Sequence, residues 1–284
     1  MRKIGVLFLT AALSLSSIIG LSGCGKNVQL PDLSSLGEIQ AISREEGSGT
    51  RAEFENMVNT LEKGSDQIAA STDEVVEMVA ADENAIGYLA YSSANSASSA
   101  KITVLDIEGI TVDSKTIRDG SYPLCRNYYL AYAGEISDVE RDFIKYIMSA
   151  GQDIVGEYAV PVKNTKSFLS DKSKGSIDVA GSSSEAPIVE ALAEGYQKYN
   201  PNAEFKITVT DSTQGLTAAM RGQCDLAMSS RELKDYESEL LTKKAIAKDA
   251  IAIAVNSKSP ITNLSVNQIR TIYDKECENW QDLK

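Results

Sequence analysis

Arg44 stands three positions ahead of the run Gly47-Ser48-Gly49-Thr50, with two acids, Glu45 and Glu46, between them. An apolar approach leads into this stretch and a helix-like pattern leaves it. Such a turn suits one kind of chemistry. The first turn of a helix leaves backbone N–H groups unpaired and carries the positive end of the helix dipole. Ser and Thr add O–H donors, Gly lets another group approach the backbone, and an arginine adds a charged fork of N–H donors. Together they favour a phosphate-like oxyanion. Three further turns have the same make-up: Gly181-Ser182-Ser183-Ser184, Asp211-Ser212-Thr213 and Ser229-Ser230-Arg231. Any one of them alone reads as ordinary helix capping. Four, with one well-placed arginine, point to a shared anion site. Neither GxGxxG nor GxxxxGK[ST] occurs, so this is not a dinucleotide or P-loop motif.

The elements that position these turns alternate. Strand patterns run over 38–43, 85–91, 102–107, 128–133, 176–180, 205–210, 225–228 and 250–256. Helical spacing runs over 50–61, 71–81, 138–150, 186–199, 213–221 and 265–273. Ser71-Thr72-Asp73-Glu74 has the make-up of a capping box. The alternation predicts an α/β fold with mainly parallel sheets. In open α/β sheets ligands sit at the carboxyl ends of strands, where the four turns lie.

Composition excludes several classes. The 284 residues, 43% hydrophobic and 24% charged, make one large domain or two moderate ones. The net charge of -12 argues against a nucleic-acid partner. With no histidine in the chain, Ser-His-Asp and Cys-His catalysis and His-ligated zinc are out. A Ser-Lys hydrolase is the remaining enzymatic alternative, but no lysine accompanies the serine turns in a recognised motif. The reading is a binding protein without catalytic residues, metal or cofactor.

Arg2 and Lys3 followed by the apolar run 4–21 form a leader that is removed from the mature chain. Loss of residues 1–23 takes the net charge from -12 to -14. Residues 24–36, with Pro31 and two serines, read as a tether. Cys125, Cys224 and Cys277 share no metal-like spacing. They read as small apolar fillers, and one disulfide between two of them stays open.

The stretches "ISREEGSGTR" (42–51), "AIGYLAYSS" (85–93), "YPLCRNYYLAY" (122–132), "VAGSSSEAP" (179–187), "DLAMSSREL" (225–233) and "NLSVNQIRTIYDKECENWQDL" (263–283) resemble the phosphate-binding proteins of bacterial phosphate ABC transporters, within the periplasmic-binding-protein family. Leu21-Ser22-Gly23-Cys24 resembles the lipobox of bacterial lipoproteins, which implies lipidation of Cys24. Family members begin with the "AGSSS"-like segment and end near "YPL-R---L". This chain begins at the "SREEGSGTR" half and stops after Trp280-Gln281-Asp282-Leu283. The order therefore resembles a circular permutation, with the old ends joined through residues 164–175.

The resemblance implies a two-lobed periplasmic-binding-protein fold, type II-like and circularly permuted. One lobe would be continuous, 121–255, and hold Ser183, Ser184, Ser212 and Ser230. The other would be split, 37–120 plus 256–284, and hold Arg44, Ser48, Gly49 and Thr50. Hinge strands would lie near 118–124 and 253–258. Glu46 would hold the Arg44 guanidinium, and Arg231 is divided between reaching the cleft and an exposed helix start. The implied ligand is inorganic phosphate, the implied partner a membrane permease of an ABC importer. The place would be the outer face of the cytoplasmic membrane, reached through the lipid anchor, and the protein a monomer. Many family members carry an Asp where Ser230 stands, to accept the proton of hydrogen phosphate. Here Glu46, Asp211 or a serine oxygen would have to accept it. Tungstate, molybdate or sulfate is thus an alternative ligand, and phosphate sensing without transport an alternative role.

Overall fold

The computed structural model describes residues 30–60, 67–94 and 101–284. The leader, Cys24 and the first part of the tether lie outside the described residues, as does Leu61 at the end of the first expected helix.

In chain order the elements are β1 (Gln40–Arg44), α1 (Gly49–Val58), β2 (Gln67–Ala69), α2 (Thr72–Ala81), β3 (Ala85–Ala90), α3 (Tyr91–Ala94), β4 (Ile102–Val104) and β5 (Asp106–Ile107). Then come α4 (Ser114–Asp119), β6 (Cys125–Ala133), α5 (Asp138–Ile147), α6 (Gly151–Tyr158), β7 (Val160–Pro161), β8 (Gly175–Ser182) and α7 (Ala186–Tyr199). The last are β9 (Ala203–Thr210), α8 (Ser212–Met220), β10 (Leu226–Ser229), α9 (Asp235–Leu240), β11 (Leu241–Asn256), β12 (Asn263–Leu264) and α10 (Val266–Tyr273). The α/β class is as expected.

The main sheet runs β2-β1-β3-β11-β6-β10-β8-β9. Its two flanks are parallel: β2, β1 and β3 on one side, β10, β8 and β9 on the other. Its centre is antiparallel, through the pairs β3 with β11, β11 with β6, and β6 with β10. The expectation of mainly parallel sheets holds only at the flanks. β11 is the reason. Its first part, Leu241 to Ala250, pairs with β6, and its second, Ile251 to Val255, pairs with β3. The strand was expected only from residue 250. Its earlier half carries the exposed Lys243 and Lys244 and the partly exposed Lys248, which hide the strand signal.

Each flank has its own core. Phe54, Tyr88 and Tyr273 pack on one face of the β1–β3 flank, with Phe54 stacked on Tyr88 at 4.0 Å between ring centres. Ile42, Val75, Val79 and Leu89 fill the opposite face. Around the β8–β10 flank, Phe143, Tyr146, Leu192 and Tyr196 form the larger cluster. Leu216, Ala219 and Ala227 form a smaller one beneath α8. Helices thus cover both faces of each flank, which drives its parallel strands into apolar surroundings. Tyr122 and Leu124 belong to the cluster of Phe54, as do Ile251, Ile253 and Val255. The chain therefore changes cores between Cys125 and Tyr128 and again between Ala247 and Ala250.

Residues 30–36 were expected to be tether throughout. Leu33 and Leu36 are instead buried in the first core, and Leu30 packs against it. Their three-residue spacing puts the leucines on one side of the chain. The carboxy-terminal stretch lies alongside: the Trp280 amide donates to Gly37 O at 3.1 Å and the Ile39 amide to Glu278 O at 2.8 Å.

Candidate functional site

Four helices begin at one point, where the two flanks of the sheet meet. α1 follows β1, α2 follows β2, α7 follows β8, and α8 follows β9. Each strand-to-helix turn delivers small hydroxyl residues, and the strand register aims all four turns at the same place. Arg44, Thr50, Ser184, Ser212 and Ser230 are each at most 2% exposed. A buried polar cluster of this kind is stable only when its members satisfy one another.

Arg44 ends β1. Its guanidinium donates to Thr72 Oγ1 at 3.2 Å and to Ser183 Oγ at 3.1 Å, bridging the two flanks. Thr50 Oγ1 lies 2.9 Å from Ser184 Oγ, which lies 3.0 Å from Thr72 Oγ1. Ser230 Oγ accepts from Ser182 Oγ at 2.9 Å and meets Ser212 Oγ at 3.3 Å, while the Ser230 amide donates to Ser212 Oγ at 3.1 Å. Gly49 closes the approach. A Cβ there would come within 2.3 Å of Ser212 Oγ and 2.6 Å of Ser230 Oγ. Gly47 turns the chain with φ +94°, and a Cβ on it would meet Asp211 Oδ1 at 2.7 Å. Gly47 O also accepts from the Thr213 amide at 3.2 Å. Ser48 is buried beside them, but its hydroxyl caps α1 by accepting from the Arg51 amide at 3.3 Å. The structure thus brings together Arg44, Gly49, Thr50, Ser183, Ser184, Ser212 and Ser230, with Ser48 as the cap that holds the turn.

Two expectations are corrected. Glu46 does not hold Arg44; it is exposed. Glu45 does, through two 2.7 Å contacts to Nε and Nη2. Arg231 neither reaches the cluster nor stands exposed. It is 3% exposed and paired to Glu237 at 2.7 and 2.8 Å, with Thr213 Oγ1 at 3.2 Å. Asp211, offered as a proton acceptor, caps α8 by accepting from the Gln214 amide at 2.8 Å.

Three residues at the site were missed. Thr72 joins the hydroxyl cluster from α2, although Ser71-Thr72 read only as a cap. Ser71 does cap, accepting from the Glu74 amide at 3.1 Å, but Glu74 takes the Ala70 amide, so the reciprocal half of the box is absent. Arg126 reaches from β6 to donate to Thr50 Oγ1 at 2.8 Å and to Ser230 O at 3.3 Å. Asp249 on β11 holds Arg126 at 2.9 Å, and neither side chain is more than 1% exposed. Burial pulls the Arg126 pKa down, but the oxygens of Tyr128 and Asp249 more than offset this, so the guanidinium stays charged. The available signal was an arginine and an aspartate that lead into the apolar runs 128–133 and 250–255.

Chemically, the site offers two guanidinium groups, each partly balanced by one carboxylate, four helix N-termini and seven hydroxyls, of Thr50, Thr72, Ser182, Ser183, Ser184, Ser212 and Ser230. No nucleophile–base pair is assembled there, and among the described residues no cluster of metal ligands is present.

The model of the PBP superfamily domain matches residues 27–150 and 167–284. Over 298 aligned positions the chain is 35% identical to "Phosphate-binding protein PstS 2" of Streptococcus agalactiae, covering 100% of this chain and 99% of that protein. A crystal structure of a phosphate ABC transporter, phosphate-binding protein from Streptococcus pneumoniae TIGR4 superposes with a TM-score of 0.70 at 34% identity, over 87% of this chain and 100% of that one. The alignment with "Phosphate-binding protein PstS" of Staphylococcus haemolyticus is 34% identical but runs over only 118 residues, 39% of this chain and 37% of that protein. The end-to-end match with the S. agalactiae protein means that the two share one order of segments. The chain belongs to the PBP superfamily, within its family of bacterial phosphate-binding proteins.

Proposed function

We propose that the protein captures inorganic phosphate between two lobes and presents it to the membrane permease of an ABC importer. The observation that carries this reading is the convergence of Arg44, Thr50, Ser183, Ser184, Ser212 and Ser230 from both flanks of the sheet into one buried cluster. A tetrahedral oxyanion seated there would take over hydrogen bonds that these groups now make to one another. It would face four helix N-termini and two guanidinium groups in a buried place, where fixed dipoles outweigh distant screened charge. That is how a chain of net charge -12 can hold an anion.

The lobes in this reading are 37–125 with 250–284, and 126–249. The two crossings, near 125–128 and 247–250, are the hinge. The order of segments is a circular permutation relative to relatives such as the S. haemolyticus protein. Two facts support it. One collinear alignment to a permuted relative can run through only one of the exchanged halves, and that match stops at 118 residues. The residues that would adjoin in the other order, Gly37 and Trp280, touch here. The joint at 164–175 is fastened by Ser170, which donates to buried Asp142 at 2.6 Å, and by Phe168 edge-on to Tyr146.

The carrier is held outside the cytoplasmic membrane by a lipid on Cys24 and works as a monomer. None of the described helices is long and apolar enough to cross a membrane. A second reading, a receptor for sulfate, tungstate or molybdate, is favoured by one observation. Ser230 stands where many relatives carry a proton-accepting Asp, and its hydroxyl is engaged with Ser182 and Ser212. Titration calorimetry with phosphate, sulfate and tungstate on the anion-stripped protein separates the two. Phosphate binding with little sulfate response supports phosphate capture. Preference for sulfate or tungstate keeps the cleft and changes the ligand.

A further inference from the structure

Glu185 follows Ser184 at the start of α7 and is 0% exposed, yet neither of its carboxyl oxygens has a hydrogen-bond partner. Its side chain does not cap the helix, although its backbone begins it: the Ile188 and Val189 amides donate to Glu185 O at 3.1 and 3.2 Å. An ionised carboxylate buried in this way is costly, and the cost is usually avoided by keeping the proton. The charged groups that act on it come from two other strands. They are Arg126 of β6 and Asp249 of β11, while β10 presents only the Ser229 backbone. Burial raises the Glu185 pKa well above the carboxylate range and Asp249 adds to that rise, while Arg126 and the nearby Ser229 backbone amide, too poorly placed to make a full hydrogen bond, work against it.

The charge balance gives this carboxyl a consequence for the cleft. Arg126 touches Thr50 and is neutralised by Asp249. An ionised Glu185 would set two carboxylates against one guanidinium, a net negative charge beneath the place where the anion sits. With its proton, the same three groups sum to zero.

We propose that Glu185 carries the proton that keeps the floor of the cleft neutral, and that it couples anion binding to proton uptake. This rests on the cleft being the oxyanion site. Glu185 is a positioning residue: it acts through Arg126 and the local field, and is next in the chain to Ser184 of the hydroxyl cluster. An anion held by Arg44, Thr50 and Ser184 brings negative charge toward Glu185 and disfavours its ionised form further. The bound protein then holds this proton more tightly than the free one. Affinity is constant below both titrations and falls as pH rises between them, by at most about tenfold per pH unit for one linked proton.

The test is phosphate affinity from about pH 6 to about pH 9, the range of a raised carboxyl, in the protein and in Glu185→Gln. The ionisation of phosphate itself enters both profiles equally, so their difference isolates Glu185. The expected result is a steeper fall with pH in the wild type, the difference in slope approaching one proton, and tighter binding by the variant at the alkaline end. Calorimetry in two buffers of different ionisation enthalpy should show greater proton uptake by the wild type. Parallel profiles overturn the proposal. If Glu185→Gln does not fold, Glu185→Leu, apolar and of similar size, takes its place. If the wild type binds no phosphate at any pH, it is the cleft reading that falls. The proton is then read from the infrared band of a protonated carboxyl at neutral pH, present in the wild type and absent in the variant. A wild type without that band overturns the proposal itself.

Discussion

Thr50 Oγ1 and Ser184 Oγ lie 2.9 Å apart although 134 positions separate them in the chain. One begins α1 on the first flank of the sheet, the other precedes α7 on the second. The contact ties together the two turns that, with Arg44, make the proposed anion site. Its neighbours follow the same rule: Arg44 spans the flanks to Ser183, and Gly49 packs between Ser212 and Ser230. The predictions below come from these cross-contacts.

Arg44→Ala should lower phosphate affinity by about one to two orders of magnitude, since a charged donor contributes about 1.5–3 kcal/mol. The fold should survive, because the carboxylate left behind, Glu45, is partly exposed at 22%. Glu45→Gln should weaken binding by a smaller factor, by loosening the guanidinium, whereas Glu46→Gln should leave it unchanged. Calorimetry on the three variants checks the series. Equal effects of the two glutamate variants would contradict the geometry.

Gly49→Ala should abolish closure of the two flanks on each other. The added methyl would overlap Ser212 Oγ and Ser230 Oγ, and these sit in a packed polar cluster with little room to shift. Backbone strain is not involved, so the cores should remain intact and thermal stability without ligand should change little. The expected readout is loss of phosphate-induced stabilisation, which for a binder at a hundredfold excess over Kd is worth about 2.7 kcal/mol. A variant stabilised by phosphate as strongly as the wild type would contradict the close approach.

Asp249→Ala should destabilise the protein by about 3–5 kcal/mol, the usual effect of leaving one member of a buried ion pair alone. Arg126 would lose its balancing charge, and the Ser92 amide would lose its acceptor at 3.1 Å. Denaturant unfolding measures this directly. A loss below about 1 kcal/mol, the level of a surface pair, would show that Arg126 finds another partner.

The cysteines give a pH-dependent prediction. Cys125, Cys224 and Cys277 are all unpaired, so no disulfide joins them. Burial pushes the Cys125 and Cys224 thiols up to about 11. A thiol with a raised pKa stays neutral below it, so at about pH 8 roughly one molecule in a thousand carries the reactive thiolate at each site. Alkylation of the native protein should therefore be slow and should accelerate on unfolding. Rapid native labelling at either residue would contradict the burial.

Much of this was legible in the sequence, for physical reasons. The strand-to-helix turns announce themselves through residue type, because Gly, Ser and Thr mark a helix start, and the recurrence of such turns beside one arginine goes beyond capping. The resemblance then located Arg44, Thr50, Ser184, Ser212 and Ser230, and all meet in the structure. Arg126 and Asp249 stayed hidden because they lie inside strands, where only the pairing of β6 with β11 reveals that they face each other. Thr72 was hidden by its neighbour, since Ser71 has an evident capping role. The choice between Glu45 and Glu46 depends on the turn at Gly47, which sends Glu46 outward and is invisible to spacing. The antiparallel centre of the sheet was missed because lysines along the first half of β11 break its apolar pattern.

The most direct test of the central claim is a crystal structure grown with phosphate. The account predicts one tetrahedral anion within hydrogen-bond reach of Arg44, Thr50, Ser184 and Ser230, with the two flanks closed around it. Phosphate seated instead in the separate groove of about 400 Å³ lined by Thr208, Thr213, Arg221 and Cys224, with the hydroxyl cluster unchanged, would contradict it.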